Sequence, residues 1–315
     1  MTREILLAFR PGAAWAALAE DDAIVELRRG GGDASGQRGA IYLGRVASLR
    51  PELPAALVDI GLARPGFLSA EDVRPKGGFA ALHEGQAVIV QLAKEARADK
   101  AAGLTMRLNN PAPLPPAGAK PPLRLDQAAP EPANLIAPWL DPPPDRILID
   151  DRAAYAVLRG WLTQHREKLA ICLGFELEPI FERRRLGEAL DEALSRRVAL
   201  VGGGALILDE TALGIAIDVD SGRSAPLAAN LAAAQGIARQ IRLRNLAGPM
   251  MVGFAGMTGK AEREKVRESL RRALAQAAPD CQVLGWTRLG HIELVRPREA
   301  PSLSEQMSPA GEPAG

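Results

Sequence analysis

Twelve of the 25 prolines of this 315-residue chain lie between residues 111 and 145. Proline fixes φ and has no backbone N–H, so we do not expect this segment to add to a sheet or a helix. We predict a linker over 109–145, either disordered or a partly ordered strap on the surface. A tail rich in Pro, Ser and Glu over 299–315 is also predicted to be disordered. The linker separates two parts of the chain with different hydrophobic patterns.

The part before the linker has the pattern of a β protein. Short runs of strand-forming residues, such as IYLGRVASL at 41–49 and QAVIVQLAKEA at 86–96, alternate with turns that contain Pro, Gly and charged residues. Several short strands within about 70 residues favour a small closed barrel.

After the linker, strands alternate with helices. The run IAIDVD at 215–220 is a predicted strand, followed by a helix from about 227 to 246, the strand MMVGF at 250–254 and a helix over 260–277. This alternation favours an α/β layer in which helices cover a sheet.

Composition excludes several classes of protein. Cys172 and Cys281 are the two cysteines, and they lie far apart, which excludes a disulfide scaffold and a thiolate zinc cluster within one chain. No apolar run approaches the roughly 20 residues of a membrane span, and the first residues lack the apolar core of a secretory signal. We expect a cytoplasmic protein without membrane association.

The formal net charge of +1 conceals an uneven distribution. Residues 239–298 contain twelve Lys or Arg and five acidic residues, so this part is strongly basic. A clustered basic region is typical of proteins that contact a phosphate backbone. Charge runs on helices, however, are more often solvated surface, so charge alone leaves both interpretations open.

The most informative carboxylates are in the run IAIDVDSG. Asp218 and Asp220 alternate on a predicted strand, so both side chains project from the same face. Two carboxylates on one face supply the oxygen ligands that Mg2+ prefers, and such an ion polarises a phosphodiester. The polar end of a strand that enters a turn also explains this run. Three scattered histidines, His83, His165 and His291, form no metal triad, and we expect surface or structural roles for them.

The predicted barrel contains residues of the kinds that bind single-stranded nucleic acid. Phe67, Tyr42, Lys94 and Lys100 offer base stacking and phosphate contacts. Aromatic residues in barrels more often belong to the core, and only 4% of the chain is aromatic. A strong platform for stacking several bases is therefore not expected.

Several segments together resemble the ribonuclease E/G family of bacterial endoribonucleases. The run IYLGRVASLRPELPAALVDIGLARPGFLSAED is similar to that family's OB-type barrel, which is S-one-like, and NLAAAQGIARQIRLRNLAG and QVLGWTRLGHIELVRPR are similar to parts of its catalytic core. The resemblance implies a multidomain α+β and α/β chain, with the OB-type barrel inserted in a ribonuclease-H-like region and a deoxyribonuclease-I-like α/β domain after it. The implied boundaries are 1–35 and 146–196 for the ribonuclease-H-like region, 36–108 for the barrel, 109–145 for the linker, 197–298 for the deoxyribonuclease-I-like domain and 299–315 for the tail.

The resemblance also implies a function, the Mg2+-dependent endonucleolytic cleavage of single-stranded RNA in RNA processing or decay. Asp218 falls on a metal-ligand position of the family, and Asp220 stands where the family usually has Asn. We predict both as catalytic residues and Mg2+ ligands. The predicted RNA contacts are Phe67, Lys100, Arg239, Arg242 and Arg244.

The chain departs from the family pattern at the second metal ligand. The family carries an Asp where this chain has Gly253, and Asp220 or Asp209 is the candidate to compensate. Loss of a carboxylate weakens a divalent-cation site, so the alternative function is a catalytically weakened or inactive RNA-binding module.

Two larger departures concern whole segments. The proline-rich linker replaces the family's pocket for a 5′-monophosphate end. The paired cysteines of the family's zinc link are absent, so we expect no zinc and no zinc-linked tetramer. A homodimer through the core stays open.

Overall fold

The computed structural model describes residues 2–30, 39–74, 77–94, 96, 101–108, 114–126, 130–257, 259–298 and 300–307. The strands are β1 (Arg3–Arg10), β2 (Ala13–Glu20), β3 (Ala23–Arg29), β4 (Ile41–Arg50), β5 (Ala55–Asp59), β6 (Gly66–Ser69), β7 (Ala87–Lys94), β8 (Gly103–Thr105), β9 (Leu123–Arg124), β10 (Arg146–Ile149), β11 (Leu173–Phe175), β12 (Arg197–Ala199), β13 (Ala205–Glu210), β14 (Ile215–Asp220), β15 (Gly248–Gly253), β16 (Gln282–Trp286) and β17 (Ile292–Arg296). The helices are α1 (Glu131–Ile136), α2 (Arg152–His165), α3 (Glu167–Ala170), α4 (Ile180–Arg183), α5 (Leu186–Leu194), α6 (Pro226–Leu243), α7 (Lys260–Ala277) and α8 (Leu303–Met307).

The chain divides into two compact units. Residues Met1–Gly30 and Leu135–Met307 form the larger unit, and Gly31–Asn134 belong to the smaller one. Both units combine strands with short or long helical segments, so the chain is a mixed α and β protein. None of the helices in the described ranges is both long and apolar enough to cross a membrane.

The smaller unit contains a closed five-stranded barrel. β4 pairs with β5 and β7, β5 pairs with β6, and β8 links β6 to β7, so the ring of strands closes. Buried side chains such as Tyr42, Val58, Leu68 and Leu92 fill its interior. The small closed barrel that the strand spacing predicts is confirmed.

Part of the proline-rich segment is regular, which corrects the prediction that it adds to no sheet or helix. Within residues 114–126, which we call the strap, β9 pairs with Tyr42 and Leu43 of β4. Asp126 accepts a hydrogen bond from the Ile41 N–H at 2.9 Å. The conformational argument applies to the prolines themselves, and neither residue of β9 is proline. The strap is thus one of the two alternatives that the composition left open.

Two helices also lie in segments predicted to be irregular. α1 tolerates Pro132 in its first turn, because the first N–H groups of a helix have no partner within the helix. α8 lies in the tail predicted to be disordered over 299–315. It is fixed because Leu303 is fully buried and its N–H donates to the Arg244 carbonyl at 2.9 Å. Residues 308–315 lie outside the described residues.

The first sheet of the larger unit has the order β11-β10-β1-β2-β3. β10 and β11 are parallel to β1, and the remaining pairs are antiparallel. Asp150, after β10, accepts hydrogen bonds from the Phe9 and Ile180 N–H groups, both at 2.8 Å. Asp151 caps α2 through the Ala154 N–H at 2.8 Å, as the sequence predicts for one of these two aspartates.

The second sheet of the larger unit has the order β12-β13-β14-β15-β17-β16, with β14 parallel to β15. α6 follows β14 and α7 follows β15. Both helices pack on one face, where Ile217, Val252, Ile237 and Leu270 belong to a single apolar cluster. On the opposite face, side chains such as Met251 are exposed, and we call it the open face. The α/β layer predicted after the linker is confirmed.

Candidate active site on the open face of the second sheet

Asp218 points away from the apolar cluster on the open face. Ile217 and Val219 on either side of it are buried, whereas Asp218 is exposed, which is the alternation that a half-buried strand requires. The strand register sets Asp218 beside Ile207 on β13 and beside Gly253 on β15. Within the described part of the chain, the Asp218 carboxylate has no hydrogen bond or ion pair. It is therefore free to bind a ligand.

Gly253 leaves a small space next to this carboxylate. A Cβ added to Gly253 would lie 3.0 Å from Asp218 Oδ1 and 3.9 Å from His291 Nε2. Antiparallel pairing of Val252 with Ile292 explains the approach, because the residue after Val252 then meets the residue before Ile292. Asp218 and His291 therefore flank the same space, and the sequence interpretation of His291 as a surface or structural residue missed this contact.

The backbone of His291 is fixed by a tight turn. Its carbonyl accepts a hydrogen bond from the Thr287 N–H at 2.8 Å, and its N–H donates to Thr287 Oγ1 at 3.1 Å. Gly290 supplies the positive φ, 85°, that this turn needs. The half-buried imidazole makes no hydrogen bond to the residues that the structure describes.

Asn230 fixes the segment that follows Gly253. This residue of α6 is fully buried, and its amide donates to the Ala255 carbonyl at 2.8 Å and accepts from the Ala255 N–H at 2.9 Å. Both hydrogen-bonding groups of Ala255 are satisfied by one side chain. In the sequence Asn230 is only one residue of the family-like run NLAAAQGIARQIRLRNLAG, and in the structure it acts as a positioning residue.

Asp220 lies on the same face as Asp218, as the alternation predicts, but its carboxylate is already engaged. Oδ2 accepts a hydrogen bond from Arg197 at 2.7 Å, and Oδ1 accepts one from the Gly222 N–H at 2.9 Å. The hydrogen bond from Arg197, followed by that from Gly222, lowers the pKa of the Asp220 carboxyl. Asp220 is thus ionised but neutralised by a neighbouring cation.

Asp209 is engaged in the same way. Arg196 donates two hydrogen bonds to its carboxylate, at 2.6 and 2.8 Å. In this conformation neither Asp209 nor Asp220 offers a free carboxylate in place of the one missing at Gly253.

Mg2+, the cation implied by the family resemblance, prefers an all-oxygen ligand set. Around Asp218 the described residues supply one free carboxylate and one imidazole. No group of three or more His, Cys, Asp or Glu residues that could hold a metal ion occurs among them. The residues present therefore do not fit a Mg2+ site built on two carboxylates.

On the barrel, Phe67 is 37% exposed on the outer face of β6. It lies opposite Gly103 of β8, and the Lys94 side chain runs past the other side of Gly103, 3.1 Å from the position of a Cβ there. An exposed aromatic ring and an ammonium group thus share one face. Tyr42 is instead in the barrel core, 1% exposed, and Lys100 lies outside the described residues.

The three arginines predicted as RNA contacts form contacts within the protein. Arg239 pairs with Glu192 at 3.0 Å, and Arg242 pairs with Glu20 at 2.8 Å and with Glu26 at 2.9 Å. Arg244 is 6% exposed and donates to the Ser195 carbonyl at 2.7 Å. These guanidinium groups link α6 to neighbouring elements of the larger unit, and their contact with RNA stays a prediction.

Most of the exposed basic side chains of the 239–298 region lie on α7 instead. They are Lys260, Arg263, Lys265, Arg271 and Arg272, and Arg288 is exposed in the turn between β16 and β17. α7 begins shortly after β15, at the strand end that carries Gly253. The basic surface of this region is therefore displaced from α6 to α7.

Comparison with known proteins relates this site to one family. A sequence profile of the Ribonuclease E/G family matches residues 116–299, more than half of the chain. Ribonuclease G of Escherichia coli (strain K12) is 25% identical over 397 residues, which cover 96% of this chain and 81% of that protein. Ribonuclease E of the same strain is 26% identical over 360 residues, which cover 84% of this chain and 34% of that protein. A chloroplastic ribonuclease E/G-like protein of Arabidopsis thaliana is 29% identical over 201 residues, which cover 59% and 20% respectively.

The matched residues include the whole candidate site. Asp218, Gly253 and His291 all lie within 116–299. The aligned span with ribonuclease G is longer than this chain, so that relative carries residues with no counterpart here.

Proposed function

Because this chain belongs to the ribonuclease E/G family, we propose that it binds single-stranded RNA and cleaves it slowly at Asp218 on the open face. The observation that carries the proposal is the exposed Asp218 carboxylate, which makes no hydrogen bond or ion pair with a described residue. A free carboxylate beside open space is suited to hold a divalent cation against a phosphodiester.

The barrel supplies the RNA contact in this proposal. Phe67 offers a ring on which a base stacks, and Lys94 on the same face offers an ammonium group for the adjacent phosphate. Such contacts tolerate any base, which fits a protein that acts on single strands of varied sequence. Lys100 stays a predicted contact, and the basic side chains of α7 add attraction that does not depend on sequence.

Slow cleavage is expected because the site has lost a ligand. The affinity of a carboxylate site for a divalent cation depends on its number of charged oxygen ligands, and Gly253 provides none. Mg2+ stays the predicted cofactor, and Asp218 alone would hold it more weakly than the two carboxylates that this site lacks. Asp220 joins it only if the ion pair with Arg197 opens.

A cleavage assay with labelled A/U-rich single-stranded RNA tests the proposal. The wild type is incubated with Mg2+ or with EDTA, beside Asp218→Asn and Asp209→Asn. Asp209 is a matched control because it lies on the same sheet but is already paired with Arg196. We expect EDTA and Asp218→Asn to reduce the rate at least about tenfold and Asp209→Asn to leave it unchanged. Cleavage that persists in EDTA or in Asp218→Asn overturns the proposal.

A second candidate function, RNA binding without cleavage, is favoured by the missing carboxylate at Gly253. Filter binding across a salt series separates the two. We expect log affinity to fall linearly with log salt, and Lys94→Gln to reduce that slope by about 0.7 for a single strand. Lys120→Gln is the control, because Lys120 is exposed on the strap, which pairs with β4 instead. Salt-dependent binding with no cleavage in any divalent cation supports the second candidate.

A further inference from the structure

We propose that Asp218 and His291 form a two-residue site for a divalent transition-metal cation such as Mn2+, with a carboxylate oxygen and the imidazole Nε2 as the donors. His291 has no role in the family resemblance or in the proposed cleavage. The β16–β17 hairpin brings it close to Asp218. Both residues lie near the carboxyl ends of the parallel strands β14 and β15, which precede α6 and α7.

The glycine between them creates the space for an ion. A Cβ at Gly253 would lie 3.0 Å from Asp218 Oδ1 and 3.5 Å from His291 Cδ2, so a side chain at this position would contact both residues. The absence of a side chain therefore has two effects. It removes an oxygen ligand, and it also leaves Asp218 and His291 as the two polar side chains that border the position of the missing Cβ.

Both donors are held in place by their backbones and are free at their side chains. Asp218 is fixed by β14 between β13 and β15, and His291 is fixed through both backbone groups by Thr287. Neither the carboxylate nor the imidazole is hydrogen bonded to another described residue. Two polar side chains that lie on fixed backbone next to the same position, and that have no partner among the described residues, are suited to bind one ion.

The chemistry of the pair selects the class of ion. Mg2+ takes oxygen ligands almost exclusively, whereas imidazole nitrogen favours first-row transition metals and carboxylate accepts Mn2+. Water fills the other coordination positions. The biological use of this site rests on the proposed function, because a cation bound here would contact an RNA phosphate only if the chain binds RNA at Asp218.

Metal binding without RNA tests the inference. The free Mn2+ signal is followed by electron paramagnetic resonance while Mn2+ is titrated into the wild type, His291→Leu, Asp218→Asn and His83→Leu. His83 is a matched control, because it is an exposed histidine on the smaller unit. We expect His291→Leu and Asp218→Asn to weaken Mn2+ binding about tenfold or more and His83→Leu to have no effect.

Pulsed electron paramagnetic resonance on the wild type tests the imidazole ligand without the need for a variant. Mn2+ bound through imidazole shows coupling to nitrogen-14, and excess Mg2+ is expected to displace it poorly. Absence of Mn2+ binding, absence of the nitrogen coupling, or unchanged affinity in His291→Leu overturns the inference. The RNA assay tests a different claim. If Mn2+ binds through His291 but the protein neither binds nor cleaves RNA, the proposed function is refuted and the metal site is not.

Discussion

The substitution Gly253→Asp places a second carboxylate in the candidate site. A Cβ at this position would lie 3.0 Å from Asp218 Oδ1, so the two carboxylates would come within about 4 Å of each other. Two like charges at that distance repel by about 1 kcal/mol in bulk water and by about 4 kcal/mol near a protein surface. Because Asp218 is exposed, we expect the lower end, a loss of about 1–2 kcal/mol in the free energy of unfolding without metal.

A cation bound between the two carboxylates reverses this loss. A ligand at ten times its Kd stabilises the folded state by about 1.4 kcal/mol. The free energy of unfolding of Gly253→Asp should therefore rise on addition of Mg2+ by an amount similar to the initial loss. The wild type, with one carboxylate, should respond much less.

Urea unfolding followed by circular dichroism, in EDTA and in Mg2+, provides the measurement. Gly253→Asn is the matched control, because it has the same shape without the charge and reports any steric cost. The RNA cleavage rate in Mg2+ should rise in the Asp variant and not in the Asn variant. Equal stability of the two variants in EDTA, together with no response to Mg2+, would refute the placement of residue 253 against Asp218.

Three further outcomes follow from buried or engaged groups. Asn230→Asp leaves a buried backbone hydrogen bond unmade and should lower the free energy of unfolding by at least about 1–3 kcal/mol, measured in urea. Burial opposes the ionisation of Asp126, but hydrogen bonds from Arg124 and from the Ile41 N–H outweigh it and lower its pKa. The ionised Asp126 carboxylate therefore stabilises the strap fully above the ordinary Asp pKa, and this stabilisation is lost as the pH falls through the lowered pKa. Asp126→Asn should abolish this pH dependence, measured by hydrogen exchange at β4. Burial raises the pKa of Cys281 to about 11, so iodoacetamide at neutral pH should leave this thiol unmodified in the folded protein, as mass spectrometry can show.

Patterns within one element were predictable from the sequence. Asp218 and Asp220 share a face because the side chains of a strand alternate, and this needs no knowledge of neighbouring strands. Their different availability was not predictable. The partner of Asp220 is Arg197, which lies on β12. The position of β12 relative to β14 depends on two strand registers, that of β12 with β13 and that of β13 with β14.

The role of His291 was missed for a related reason. Its approach to Asp218 depends on the order of β14, β15 and β17 in the sheet, and order in a sheet is not encoded in hydrophobic periodicity. The spacing of histidines in a sequence can indicate a metal triad, but it cannot reveal one imidazole that the fold brings to one carboxylate.

The arginines of α6 illustrate the limit of counting charge by segment. The count over 239–298 gave a strongly basic region, but the acids that neutralise Arg239 and Arg242 are Glu192, Glu20 and Glu26. All three lie outside the counted window. A local charge excess indicates a basic surface only where tertiary pairing leaves it exposed, as on α7.

The pairing of the strap with β4 also protects an edge. The first residues of β4 bond to β7 on one side, and β5 pairs only with residues from Arg45 onward. Without β9, the other side of Tyr42 and Leu43 would present unpaired backbone groups to other chains, the usual starting point for intermolecular sheets. β9 is only two residues long and follows Pro121 and Pro122, which cannot donate to a further strand. The proline-rich segment therefore ends the sheet in a way that resists self-association.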